Sequence, residues 1–262
     1  MLWANFRSGK LTKSTLNDSI ELFEKALSLD PEYERAMGLL GVLLGYRAAE
    51  HWSKDATRDV TRSDELIAAA LALHPDDARV HTGKGHILGF KGQWRSALQE
   101  EETAIADDPN NPEAYAAAGF FKMFLGRSAE GVTDVERAFR LSPHDILTPL
   151  WQAQFCWLRG HLAQWDKAIE DCEKAVPMQA QGSQERVMAL GFLAAAYAWA
   201  GRDREAKQTM IQLSNAYQYP NYLRSFQSLW NLQDDGTYLA ELARIFEGMQ
   251  KAGLPEGKKN TN

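Results

Sequence analysis

Cysteine is nearly absent from this sequence, with two in 262 residues. That excludes a disulfide-built scaffold and predicts a reducing compartment, the cytoplasm. An excess of positive charge is missing too, since 29 Lys and Arg face 35 Asp and Glu, for a net charge of -6. Nucleic-acid binding leans on phosphate neutralisation by Lys and Arg, so this balance argues against it, RNA-reading helical repeats included. Long apolar runs are also missing. "MGLLGVLLGY" (37–46) and "LGFLAAAYAWAG" (190–201) are the longest, and both fall short of the roughly 20 residues that a membrane-spanning helix needs. The start, "MLWANFRSGK", has no apolar stretch behind a basic end, so no secretory signal is expected. What remains, 45% apolar and 24% charged residues, is the balance of a folded soluble protein rather than a disordered one.

Proline is sparse but regularly placed. "LSLDP" ends at Pro31, "LALHP" at Pro75, "IADDP" at Pro109 and "FRLSP" at Pro143. The last three are 34 residues apart, and the first interval of 44 is that period plus ten residues. Small residues keep fixed offsets inside each period. Ala26, Ala70, Ala104 and Ala138 stand five before the prolines; Ser19, Ser63, Ala97 and Gly131 stand twelve before. Gly41, Gly85 and Gly119 come ten after the preceding proline, and Gly92 and Gly126 seven later still, where they end a helix as C′ glycines do. Each period therefore reads as two antiparallel helices, A and B. Small residues mark their crossing, and Pro opens the next unit where a missing N–H costs nothing.

This pattern resembles the tetratricopeptide repeat, a helix–turn–helix unit of the same period. The resemblance covers about residues 1–215 and implies an all-α, right-handed α-α superhelix of five to six helix pairs. A degenerate fifth repeat carries Ala153, Ala168 and Ala175, with Pro149 at its aromatic position; a sixth carries Leu190, Leu193, Ala194, Tyr197, Gly201 and Ala206. Ala153 and Ala194 are 41 residues apart, so seven extra residues are expected in the inter-helix turn and the "VPMQAQGSQE" linker. Only Trp3 to about Ser8 remains for the first A helix. The ten-residue insertion is expected between the helices of the second repeat, at about Arg47–Asp59, lengthening both helices or projecting as a loop. Residues 216–252 read as a C-terminal helical cap with an apolar stripe of Leu239, Leu242, Ile245, Phe246 and Met249. A solenoid needs such a cap at its open end. Residues 253–262 read as a disordered tail.

No catalytic, cofactor or metal site stands out. "GKGHILGFKG" (83–92) lacks the GxxxxGK[ST] order of a phosphate loop, and no strand precedes it. His81 and His86 are five apart and do not share a helix face as an i, i+4 metal pair would. "DDPNN" (107–111) is a turn without the twelfth-position acid of a calcium loop. Cys156 and Cys172 fall at facing A- and B-helix positions, and a reducing cytoplasm predicts two buried thiols there.

The resemblance also implies a binding face. A-helix positions two, five, nine, twelve and thirteen of such repeats point into a concave groove. Here they are Arg79, Thr82, His86 and Phe90; Ala116, Phe120, Met123 and Phe124; Leu150, Gln154 and Trp157; Met188 and Trp199. The Lys and Asn that clamp a chaperone's C-terminal carboxylate are absent from these positions. An apolar, aromatic groove suits a protein or peptide ligand, above all the apolar face of a helix. Its alternative occupants are the chain's own C-terminal helix or a second subunit in a homo-oligomer. An enzyme with its active site in the groove is the rival reading, and a self-associating scaffold is another. "SIELFEKALSLDPEYERAMGLLG", "LALHPDDARVHTGKGHILGFKGQWRSALQ" and "FEGMQKAGLPE" are similar to the C-terminal repeat region of bacterial class III adenylate/guanylate cyclases. That likeness implies a regulatory, partner-binding region following a catalytic domain this chain does not contain, and the short first helix fits an excised fragment.

Overall fold

In a computed structural model the described residues are 13–49, 52–145, 147–181, 183–216 and 235–255. Among them are twelve helices and no strand, so the chain is all-α. The first six are α1 (Lys13–Leu29), α2 (Glu34–Ala49), α3 (Ala56–Leu73), α4 (Ala78–Phe90), α5 (Trp94–Asp107) and α6 (Pro112–Phe124). The others are α7 (Ser128–Leu141), α8 (Thr148–His161), α9 (Trp165–Met178), α10 (Gln184–Trp199), α11 (Asp203–Ala216) and α12 (Gly236–Lys251). The even-numbered helices α2 to α10 are the A helices of the repeat, and the odd-numbered ones the B helices. The A helix expected at Trp3–Ser8, the first part of the expected cap (217–234) and the tail from 256 lie outside the described residues.

Local chemistry sets the helix ends. Asp55, Asp77 and Ser183 cap α3, α4 and α10 by accepting from the backbone N–H of Arg58, Arg79 and Arg186. Four A–B turns share one length and one closure. The N–H groups of Gln93, Arg127, Gln164 and Arg202 donate to the carbonyls of Leu88, Lys122, Arg159 and Tyr197, at 2.8–2.9 Å. This bond requires a left-handed residue just before it. Gly92, Gly126 and Gly201 supply φ of 70°, 67° and 72°, but the degenerate repeat places Ala163 there at 54°. A Cβ in that region costs about 1–2 kcal/mol, and glycine gives back part of the gain as unfolded-chain entropy. Ala163→Gly is therefore expected to stabilise the protein by about 0.5–1 kcal/mol, read from urea midpoints at constant slope.

The turns also correct the placement of the seven extra residues. The α8–α9 turn has the same three residues as its counterparts and takes none of them. Eight residues run from Ala153 to the end of α8, against five from Gly119 to the end of α6; ten run from the start of α10 to Ala194, against seven in α6. The helices absorb nearly all of the extra length, three residues in α8 and three in α10. The ten-residue insertion is divided similarly. α2 has 16 residues and α3 has 18, where α4 and α5 have 13 and 14. Arg47 ties the lengthened pair together, donating to both oxygens of Asp59 at 2.7 Å and to Asn17 at 3.1 Å.

The described chain forms two compact units, Met1–Phe121 with Arg137–Pro143, and Lys122–Glu136 with His144–Asn262. The first is held by Leu16, Leu40, Leu43, Leu66, Ile67, Val80 and Ile87, all buried. Gly41 sits where α2 meets α3. A Cβ on it would lie 3.1 Å from the Ser63 carbonyl, whose own hydroxyl donates to Gly41 O at 2.7 Å. The second unit packs α8 on α9, α9 on α10 and α10 on α11, around Trp151, Leu158, Leu190 and Leu213. Burying each such side chain contributes about 1.5–3 kcal/mol.

Two expectations fail in the second unit. Cys156 on α8 and Cys172 on α9 are joined in a disulfide rather than left as thiols, both fully buried. The A–B crossing brings their Cα atoms to 4.7 Å, inside the range a disulfide bridges, whereas the thiol expectation rested on cysteine count alone. The apolar stripe of α12 is buried at Leu242, Ile245, Phe246 and Met249 as expected and fails only at its first position. Tyr238, Leu242, Ile245 and Met249 form its buried seam, while Leu239 is 36% exposed. The seam follows i, i+4, i+7, i+11 from Tyr238, and Leu239 lies about 100° around the helix from it.

Candidate functional site: the A-helix face

Six of the expected groove residues belong to the first unit. Arg79 is exposed and Thr82 buried, with Asn111 Nδ2 3.4 Å from the Thr82 hydroxyl. The His86 imidazole lies 3.7 Å from a Glu113 carboxylate oxygen and meets the Phe121 ring edge-on at 6.3 Å. Phe90 is 42% exposed and touches Tyr46, which in turn touches Trp52. Ala116 is buried, and Phe120 is half-buried against Phe121 at 5.9 Å.

The other seven belong to the second unit, where a helix already covers much of the face. α12 packs chiefly along α10 and also against α8. Its Tyr238 ring lies 5.3 Å from Phe124 and stacks on His161 at 5.3 Å and 18°. Met188, Gly191 and Phe192 of α10 face Leu242, Ile245, Phe246 and Met249 of α12 around a small gap. Trp199 stacks on Trp165 at 5.9 Å, donates from Nε1 to the Arg244 carbonyl at 2.9 Å, and carries Lys251 Nζ 3.2 Å above its ring. Met123, Phe124, Gln154 and Trp157 are buried; Leu150, Met188 and Trp199 are half-buried. This explains the unbroken apolar run of α10. Its residues 189–197 are all buried, because a helix packed on all sides needs no polar face.

Close approach is built into this contact. A Cβ on Gly248 would lie 2.9 Å from the Ala195 Cα and 2.8 Å from the Trp199 ring. One on Gly126, in the α6–α7 turn, would lie 2.6 Å from the Asp235 carboxylate and from Thr237. Asp235 itself caps α12, accepting from the N–H groups of Thr237 and Tyr238.

One charged group interrupts the apolar seam. Glu241 of α12 is 7% exposed, and its Oε2 accepts from the Ser128 hydroxyl at 2.8 Å and from His161 Nδ1 at 3.1 Å. Ser128 begins α7 and His161 ends α8, so two elements converge on one carboxylate oxygen. Burial holds the His161 imidazole below its ordinary pKa, against the opposing pull of Glu241. His161 is thus a neutral donor at neutral pH. The Ser, His and Glu here are not a nucleophilic triad. In such a triad an imidazole nitrogen takes the serine proton; here the serine gives its hydrogen bond to the carboxylate. The arrangement holds an acid.

Sequence reasoning missed Ser128, His161 and Glu241. Ser128 and His161 lie 113 and 80 positions from Glu241 in the chain, so no local pattern joins the three. The available signal was a glutamate inside the apolar stripe of α12.

No protein-family model matches the chain. Among curated proteins it is 27% identical over 101 residues to cellulose synthase 2 operon protein C of Komagataeibacter xylinus, covering 38% of this chain and 8% of that protein. It is 28% identical over 105 residues to tetratricopeptide repeat protein 33 of Xenopus laevis, covering 40% of this chain and 38% of that one. The chain thus spans well under two thirds of either relative. Among solved structures it is similar to PilF of Pseudomonas aeruginosa, with TM-score 0.58, 19% identity and coverage of 87% and 96%. YrrB, a TPR protein with an unusual peptide-binding site, gives TM-score 0.51 at 18% identity, covering 75% and 93%. The Cut9–Hcn1 hetero-tetramer of the APC/C gives 0.64 at 14%, covering 96% and 48%. At such identities the likeness establishes the fold, an all-α array of tetratricopeptide-type helix pairs.

Proposed function

We infer that this array is a protein-interaction module whose second unit receives an amphipathic helix on its A-helix face. The carrying observation is the seating of α12. A helix with a Tyr238, Leu242, Ile245, Met249 seam lies along α10 and against α8, the helix-in-groove mode of recognition. α12 then acts as a resident ligand, and a partner helix of like chemistry displaces it. The alternative reading, an enzyme in the groove, requires a nucleophile or base free to meet substrate. Here Ser128 and His161 Nδ1 are both turned to Glu241 Oε2, and the His161 ring is fully buried.

Hydrogen exchange under native conditions tests the seat. A displaceable α12 exchanges its amides by local release, at a free energy below that of global opening, while α8 and α10 stay protected. Exchange of α12 only through global unfolding would make it core and remove this reading.

The narrower role, as the regulatory region of a bacterial nucleotidyl cyclase-type signalling protein, rests on the sequence stretches quoted above. It would place the chain in the cytoplasm. The Cys156–Cys172 disulfide supports an oxidising compartment instead. Trapping thiols by alkylation in intact cells separates the two.

A further inference from the structure

We propose that the α12 seat selects its occupant by a single carboxylate, so that the partner is an amphipathic helix bearing an acid inside its apolar seam. This rests on the reading of α12 as a displaceable ligand. A carboxylate placed in an apolar contact costs desolvation, and a leucine there would avoid it. Glu241 is nonetheless met by two donors, and both come from the receiving side, Ser128 at 2.8 Å and His161 at 3.1 Å. The slot also fixes register. A helix shifted by one turn, about 5.4 Å, would bring Thr237 or Ile245 to the place of Glu241 and leave both donors without the carboxylate.

Further contacts define the rest of the ligand. Tyr238, three residues before the acid, stacks on His161 and meets the Phe124 ring at a tilt. Arg244, three after it, donates to the His161 carbonyl at 3.3 Å. Gly248, seven after it, admits the Ala195 backbone and the Trp199 ring at distances no side chain allows. Lys251 covers the Trp199 ring. The matching partner therefore carries an aromatic, an acid, a cation and a small residue at spacings of three, three and four. Each requirement excludes helices that are merely apolar.

The test uses two labelled synthetic peptides of residues 235–255, one with the natural sequence and one with Glu241→Ala. The receiver is the full chain carrying Gly248→Val, whose own helix is barred from the seat while the receiving residues are untouched. The full chain with Glu241→Ala is a second receiver, should the first lose its helical circular dichroism. The natural peptide is expected to bind about ten-fold or more tightly than the Ala peptide, as hydrogen bonds to a charged group allow. Adding Ser128→Ala to the receiver should reduce that preference by about three-fold or more. Equal affinity for the two peptides would overturn acid selection and leave the seat standing. Binding of neither peptide to either receiver would overturn both.

Discussion

Tyr238→Ala is expected to weaken the docking of α12 by about 3–5 kcal/mol, the range for removing a large aromatic from a core. Tyr238 is fully buried and lies within 5.3 Å of the Phe124 and His161 ring centres. Its burial alone pushes the phenol pKa well up, as an apolar enclosure does. The loss should appear first in α12. Protection of its amides should fall by a factor of about 100 or more, while α8 and α9 change little. Leu239→Ala is the control, since Leu239 is 36% exposed and surface truncations of this kind stay within about 0.5 kcal/mol. Equal effects of the two substitutions would show that the seam does not run through Tyr238.

The contrast between these neighbours marks how far the sequence could be read. Proline spacing and small residues located the helix pairs because each reports a local requirement. Gly92 and Gly126 end their helices at positive φ, as their spacing required. Ala163 does the same job without being glycine, so the pattern was blind to the turn it closes. The groove positions of α6 and α10 were legible as largely apolar, with the C-terminal helix only one of the occupants left open. Whether Phe124 faces solvent or Tyr238 depends on a helix more than a hundred residues away. Cooperation between Ser128, His161 and Glu241 is of the same non-local kind. Along α12, Leu242, Ile245, Phe246 and Met249 are buried as their spacing required, and only the first position moves, from Leu239 to Tyr238, both of which fit the helical period. Packing chooses between them.

Reduction of the Cys156–Cys172 disulfide is expected to lower stability by about 3 kcal/mol, the loop-closure figure for a separation of this size. The two residues are 16 apart and tie α8 to α9, the pair whose A–B turn lacks its glycine and whose first helix begins with Pro149 near its N-terminus. A covalent link at the crossing offsets a degenerate repeat that keeps its small residues at Ala153, Ala168 and Ala175 but has Ala163 in place of the turn glycine. The cross-link acts mainly on the unfolded chain, so the folded pair should persist after reduction while its unfolding midpoint falls. Urea titrations with and without reductant measure the difference, and the Cys156→Ala, Cys172→Ala double variant should match the reduced protein. Because both sulfurs are fully buried, a thiol reagent should label the reduced protein only as fast as α8 and α9 open. Local release of α12 should stay as it is on reduction, since α8 remains folded and its His161 still holds Glu241 of α12. An unchanged urea midpoint on reduction, with both thiols then labelling freely in the native state, would show that the link is incidental to the fold.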